Sequence, residues 1–256
     1  MTKLKIKNRK DQNIAVIVDQ VLNQKGLAFV MHGLSGTKDQ PVTQTIAAAF
    51  TESGYTAVRF DTTNTFGESD GRYEDATTTN YYEDLEDVIK WASSEEWYEE
   101  PFVLVGFSLG GLCVGLFAEE YPEKVRGLAP ISAVVSGKMM VGRENHKFVY
   151  KEWERTGWNV TESESRPGLI RRLPWSFVID GLKYDLLPNA NKLAMPVLMV
   201  VGEKDVSVDF ESQKALFDKL PGQKESHIIA GGPHTFRDEK HLSELRQLLR
   251  SWIGKL

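Results

Sequence analysis

Two observations predict an α/β protein with a mostly parallel central sheet flanked by helices and a small inserted cap. Short apolar runs of strand length alternate with runs of helical spacing along most of the 256-residue chain, the pattern of a sheet covered by helices. The alternation stops from about Val135 to Ala190 and then resumes. Residues 1–134 and 191–256 are therefore read as two parts of one core, and 135–190 as the cap. The length suits one large domain carrying a small insertion.

The elements follow in order. Leu4–Lys7 and Ile14–Leu22 read as a hairpin, the first an edge strand with its lysines outward. Leu27–Met31 is a continuous apolar strand running into His32-Gly33. Pro41–Ser53 is helical, with Ile46, Ala49 and Phe50 on one face and Gly54 as its stop. Tyr55–Phe60 is the next strand, followed by a turn-rich stretch from Asp61 to Gly71. Tyr81–Ala92 has helical spacing through Leu85, Val88 and Ile89. Phe102–Gly106 is a short buried strand, Leu109–Tyr121 a helix and Val125–Ile131 a strand. Pro196–Val201 and Ser226–Ile229 read as the last two strands, with helices at Asp209–Leu220 and Glu239–Trp252.

The interrupting segment holds three of the six tryptophans, Trp153, Trp158 and Trp175, together with Phe148, Tyr150 and several arginines. A structureless loop of that length is uncommon in a compact domain, which favours a cap over an elaborated loop and helix sealing the sheet edge. Its tryptophans either pack a bound aromatic or acyl group or form the cap's own core. Arg166, Arg171 and Arg172 either meet a polar substrate tail or are solvated.

Bulk properties narrow the function classes. A formal net charge of −5 gives no support to nucleic-acid binding or an anionic membrane surface. No apolar run approaches the roughly 20 residues of a membrane span. The basic N-terminus is not followed by an apolar signal core, so a cytoplasmic setting is expected. Cys113, the one cysteine, cannot form an internal disulfide and reads as packed core. The acidic run through Glu95, Glu96, Glu99 and Glu100, flanked by Trp91 and Trp97, reads as a solvated helix end. There is no H-E-x-x-H pattern, no cysteine–histidine cluster and no dinucleotide fingerprint, so neither a metal nor a cofactor is expected.

The chemistry is carried by Gly106-Phe107-Ser108-Leu109-Gly110, a G-x-S-x-G pattern between an apolar strand and a helical run. A strand that turns abruptly into a helix leaves its apical serine exposed in a strained conformation. Glycines two residues to either side prevent collision across the turn, and the helix N-terminus favours developing negative charge. The alternative is a glycine-rich helix start that Ser108 merely caps. A serine hydroxyl needs a base. Of five histidines, His234 in Gly231-Gly232-Pro233-His234 suits a loop returning over the sheet edge. His227 and His241 read as structural, His146 as a surface or substrate-facing residue of the cap, and His32 as loop-structuring. A carboxylate must fix the imidazole. Asp205, just after the penultimate strand, is the candidate, with Asp209 and Glu203 as rivals and Asp180 and Asp185 less favoured. Backbone N–H groups of Leu34 and Leu109 are expected to hold an oxyanion.

These pieces resemble the α/β-hydrolase superfamily, in particular its small serine esterases and acyl hydrolases, including the cinnamoyl and feruloyl esterase group. The resemblance rests on His32-Gly33, Asp61 with Gly67-Glu68-Ser69-Asp70-Gly71, the elbow around Ser108, Gly202 with Asp205, and Gly232-Pro233-His234-Thr235-Phe236. It implies the α/β-hydrolase fold and a carboxylesterase that cleaves a small-molecule ester through an acyl-enzyme. In that family the residues after the His-Gly pair and after the nucleophile supply the oxyanion donors, which agrees with Leu34 and Leu109. Relatives often carry a D-x-x-G-x-G-x-S turn; here Asn64-Thr65 precede Phe66-Gly67, a change in a loop beside the site. The same triad serves amide, peptide or thioester hydrolysis, and a non-catalytic ligand-binding protein on this scaffold is the alternative of another class.

Overall fold

The protein is described by a computed structural model over residues 1–163, 167–208 and 210–256. Among the described residues, eight strands form the main sheet. They are β1 (Thr2–Lys7), β2 (Asn13–Asp19), β3 (Leu27–Met31), β4 (Thr56–Phe60), β5 (Phe102–Phe107), β6 (Val125–Ile131), β9 (Val197–Lys204) and β10 (Lys224–Pro233). Their order is β1-β2-β4-β3-β5-β6-β9-β10. β1 and β2 form an antiparallel hairpin, β2 joins β4 antiparallel, and all later pairings are parallel. β1 is the edge, and its Lys3, Lys5 and Lys7 are exposed.

Among the described residues, five helices of the two core parts cover the sheet, and the period-2 alternation of the strands decides which face each one covers. Ala28 and Val30 of β3, and Val103, Val105 and Phe107 of β5, pack with α1 (Pro41–Glu52) and α8 (Glu239–Ile253) through Ile46, Phe50, Leu245, Leu249 and Trp252. Leu27, Phe29 and Met31, with Phe102 and Leu104, face α2 (Thr78–Ala92), α3 (Leu109–Glu120) and α7 (Phe210–Lys219). Truncating a fully buried member such as Leu245 to alanine would cost about 2–5 kcal/mol. α1 ends at Ser53, and Gly54 follows at φ +91°, a left-handed turn that glycine adopts without strain. Cys113 is buried in α3, as expected. No helix among the described residues is long and apolar enough to cross a membrane.

Between β6 and β9 lie α4 (Gly137–Gly142), α5 (Lys147–Thr156), the antiparallel hairpin β7 (Trp158–Glu162) and β8 (Ile170–Pro174), and α6 (Trp175–Gly181). The amphipathic α5 buries Tyr150 and Trp153. Trp153 stacks with Tyr150 and Phe177 and meets Trp175 edge-on, and its indole N–H donates to the Leu173 carbonyl at 3.0 Å. The tryptophans are thus the segment's own core, apart from Trp158, which lies on its outer surface. Asp180 of α6 accepts from the Thr79 amide at 2.8 Å and hydroxyl at 2.7 Å, fastening the segment to the first turn of α2. Arg172 does not face the interior: it lies over the Trp158 ring and 3.5 Å from Glu74. Arg166 and Asp209 fall outside the described residues.

Candidate active site

The junction of β5 and α3 explains the glycines around Ser108. Ser108 has φ 55° and ψ −116°, a conformation unfavourable for any residue with a Cβ. It is held there from the end of β6 and the loop after it: its N–H donates to the Ile131 carbonyl at 2.9 Å and its carbonyl accepts from the Val134 amide at 3.1 Å. A Cβ at position 106 would overlap the Gly110 carbonyl, and one at 110 would overlap that of His32. A Cβ at 111 would stand 2.5 Å from that of Ala133. The turn therefore closes only with glycine at these positions.

Asp205 directly follows β9, and His234 directly follows β10. β9 and β10 pair in parallel with a bulge between Ile229 and Pro233, and the Glu203 carboxylate accepts from the Gly231 amide at 2.7 Å. Glu203, a rival for the acid, thus anchors the loop that carries the histidine. His234 Nδ1 lies 2.7 Å from Asp205 Oδ2, and its Nε2 lies 3.0 Å from Ser108 Oγ. The imidazole packs beside the Phe107 ring. The Asp205 side chain is almost fully buried, and its other oxygen accepts from the Ser207 and Val208 amides, each at 2.9 Å. One ring thus spans a hydroxyl and an oriented carboxylate.

The Met31–Gly36 turn passes directly over Ser108. A Cβ on Gly33 would come 2.8 Å from the Ser108 Cβ and 3.0 Å from the Phe107 carbonyl oxygen, so only glycine lets the chain approach this closely. His32 is fully buried. Its Nδ1 lies 2.7 Å from the Gly33 carbonyl, and its Nε2 accepts from the Thr62 amide at 3.0 Å. Burial, foremost, pushes its pKa down, and a neutral ring with its proton on Nδ1 satisfies both bonds. His32 is therefore spent on shaping the turn. Leu34 and Leu109 both line the cavity beside Ser108. Leu109 opens α3, where backbone N–H groups lack intrahelical acceptors.

The turn is braced by Lys38, a residue that no sequence signal singled out. Its Nζ is buried and lies 2.8 Å from Asp61 and 2.5 Å from Glu68. Asp61 also accepts from the Lys38 amide at 2.7 Å and the Glu68 amide at 2.8 Å. Below it, the buried Asp84 carboxylate accepts from Asn8, Thr63 and Asn80; burial dominates and raises its pKa. Asn64, one of the residues that depart from the usual turn, stands at φ 59° and bonds to Asn80.

A cavity of about 300 Å³ opens on Ser108 and His234. Leu112, Val134 and Phe107 of the core form its floor; Met140, Val141, Tyr150, Phe177 and Val178 of the 135–190 segment form its roof. His227 lies half-exposed on β10 and His241 is buried on α8, both away from this cavity. His146 lies against Tyr150 without reaching the cavity wall. Asp180 and Asp185 are committed elsewhere, to Thr79 and to the Leu187 amide.

A mostly parallel eight-stranded sheet with this elbow after β5 defines a hydrolase of the α/β-hydrolase superfamily. The family model described as serine aminopeptidase, S33 matches residues 23–241, and the chain belongs to that family. It is 27% identical to an uncharacterized 31.7 kDa protein of the traX-finO intergenic region in Escherichia coli, over 81% of this chain and 82% of that one. It is 26% identical to the mitochondrial palmitoyl-protein thioesterase ABHD10 of Mus musculus, over 79% of this chain and 67% of that protein. Two solved structures share the fold: Est1E from Butyrivibrio proteoclasticus with ferulic acid bound (TM-score 0.80, 20% identity, 98% of each chain) and mouse α/β-hydrolase domain-containing protein 10 (TM-score 0.81, 20% identity, 100% of this chain and 99% of that one).

Proposed function

We propose that the protein is a carboxylic ester hydrolase working through an acyl-enzyme on Ser108. The observation that carries this is the single imidazole of His234 bridging Ser108 Oγ at 3.0 Å and Asp205 Oδ2 at 2.7 Å. Ser108 Oγ attacks the carbonyl carbon while His234 Nε2 takes its proton. The Leu34 and Leu109 N–H groups hold the oxyanion, and Asp205 supports the imidazolium. Collapse expels the alcohol, which leaves with the proton from Nε2. Water, deprotonated by the same nitrogen, then attacks the acyl carbon, and the free acid departs as Ser108 regains its proton. The 135–190 segment acts as the cap that excludes water and shapes the acyl pocket.

A thioester is the second substrate class, favoured by the activity for which the mouse relative is named and by an apolar cavity roof suited to an acyl chain. A fluorophosphonate probe tests the reaction class. Wild-type protein is expected to label and Ser108→Ala is not; an unlabelled, folded wild type would favour a binding protein. Oxygen and thiol esters of one acyl group, compared by kcat/KM, separate the two substrate classes.

A further inference from the structure

One charged group on the cavity wall has no counter-charge among the described residues. β7 and β8 pair antiparallel, with Thr161 opposite Arg171 and Val160 opposite Arg172. The two-residue period of a strand sends these consecutive arginines to opposite faces. Arg172 is on the outer face, satisfied by Glu74 and the Trp158 ring. Arg171 is on the inner face and lines the cavity that holds Ser108 and His234. Among the described residues it makes one hydrogen bond, from Nη2 to the Glu162 carbonyl at 3.2 Å. Its Nε is buried without an acceptor, and among the described residues no carboxylate is in an ion pair with it.

Arg237 also lines the cavity, and among the described residues no Asp or Glu does. Tyr73 closes the wall near Arg171, in the short turn against which β8 packs. Its phenol stays protonated, held above its ordinary pKa mainly by burial, and so is a donor. A guanidinium with an open edge beside a phenol, in a pocket that no acidic side chain lines among the described residues, matches an oxyanion that accepts two or more hydrogen bonds. A neutral acyl chain would leave Nε unpaired, the state that a buried charged donor tolerates worst.

We infer that Arg171 recognises an oxyanionic group on the substrate, so that the natural substrate is an ester or thioester bearing a second, ionised acid such as a carboxylate. The inference rests on the catalytic reading of Ser108 and adds the substrate's charge to it. Recognition is by side-chain charge and places no demand on the proton relay, so it acts on substrate binding.

Two ester pairs test this. Mono-p-nitrophenyl glutarate against p-nitrophenyl pentanoate puts the charge on the acyl side; 4-butyryloxybenzoate against its methyl ester puts it on the leaving side. In at least one pair the wild type is expected to favour the charged ester at least tenfold in kcat/KM, chiefly through KM. That ratio should fall with added salt, collapse towards one in Arg171→Met and persist in part in Arg171→Lys. The pair that shows it tells which side carries the acid. Equal or lower kcat/KM for both charged esters, or a ratio unchanged in Arg171→Met, overturns the inference. Should Arg171→Met not fold, Arg171→Lys and the salt series decide on the same criteria. Turnover of none of the four esters would count against the catalytic reading instead. Calorimetry on Ser108→Ala then decides separately: binding of monomethyl glutarate but not methyl pentanoate supports the inference, and no difference between them sinks it.

Discussion

Arg143 Nη1 donates to the Ser207 carbonyl at 2.7 Å and to that of Val206 at 3.3 Å, so a side chain of the inserted segment grips the turn that Asp205 organises. The amides of the same turn donate to Asp205 Oδ1, and the turn is therefore held from two sides. Arg143→Ala is expected to lower kcat about 3- to 10-fold, the kinetic equivalent of about 1 kcal/mol of lost hydrogen bonding. Steady-state kinetics checks it; an effect on KM alone would mean that the contact shapes the pocket and not the acid.

Asp205→Asn should keep the fold and lose about 10³–10⁴ in kcat, because an amide cannot stabilise the imidazolium or impose the same tautomer. Turnover of the purified variant, with its melting temperature as a control, tests this. Retention of activity would transfer the role of the acid to another carboxylate.

Ser108 supplies a test of strain separate from turnover. Both Ser108→Ala and Ser108→Gly remove the hydroxyl. Only glycine takes φ 55°, ψ −116° without steric cost. Ser108→Gly is expected to be more stable than Ser108→Ala by about 1–2 kcal/mol, read from denaturant midpoints. Equal stability would mean that the elbow stores no backbone strain.

Gly33→Ala forces either the 32–36 turn or Ser108 to move, since the new methyl would stand 2.8 Å from the Ser108 Cβ. A shift of a few tenths of an ångström in an oxyanion donor costs rate more than binding. The expected result is a loss of about 10- to 100-fold in kcat with KM nearly unchanged.

Glu119 gives a pH-dependent stability signature far from the cavity. Its side chain is buried near the end of α3 with one oxygen unpartnered. Burial raises its pKa from 4.5 to about 8, against opposing pulls from Lys192 and Asn189. Between those two values the folded protein keeps a proton that the unfolded chain has released, so stability falls as pH rises through that window. Glu119→Gln should flatten that slope. It should match the parent near pH 4 and exceed it by about 1–2 kcal/mol at pH 9, measured by urea denaturation at both values.

What was legible in the sequence was whatever depends on short spacing. Gly106, Ser108 and Gly110 announce the elbow because the same few atoms of the turn must avoid one another. His234 and Asp205 stand out because each comes right after an apolar strand. The Lys38–Asp61–Glu68 brace was not legible, since its members meet only once β3 and β4 are side by side and the 61–71 turn has folded back. The sequence treated Arg171 and Arg172 alike; the register of a hairpin whose strands show no hydrophobic alternation separates them. The strand ends also shifted. β9 runs on to Lys204 and β10 to Pro233, because their pairing resumes past the bulge between Ile229 and Pro233, through residues that carry no apolar signal.

Each of the three groups proposed for the relay follows a strand of the main sheet, whereas much of the cavity roof comes from one continuous stretch between β6 and β9. On the proposed reading, reactivity and selectivity are encoded in separable lengths of chain. Exchanging residues 135–190 for the equivalent stretch of a relative would swap one enclosure for another above an unaltered reaction centre, so a single transplanted segment can redirect what is cleaved while leaving how it is cleaved as it was.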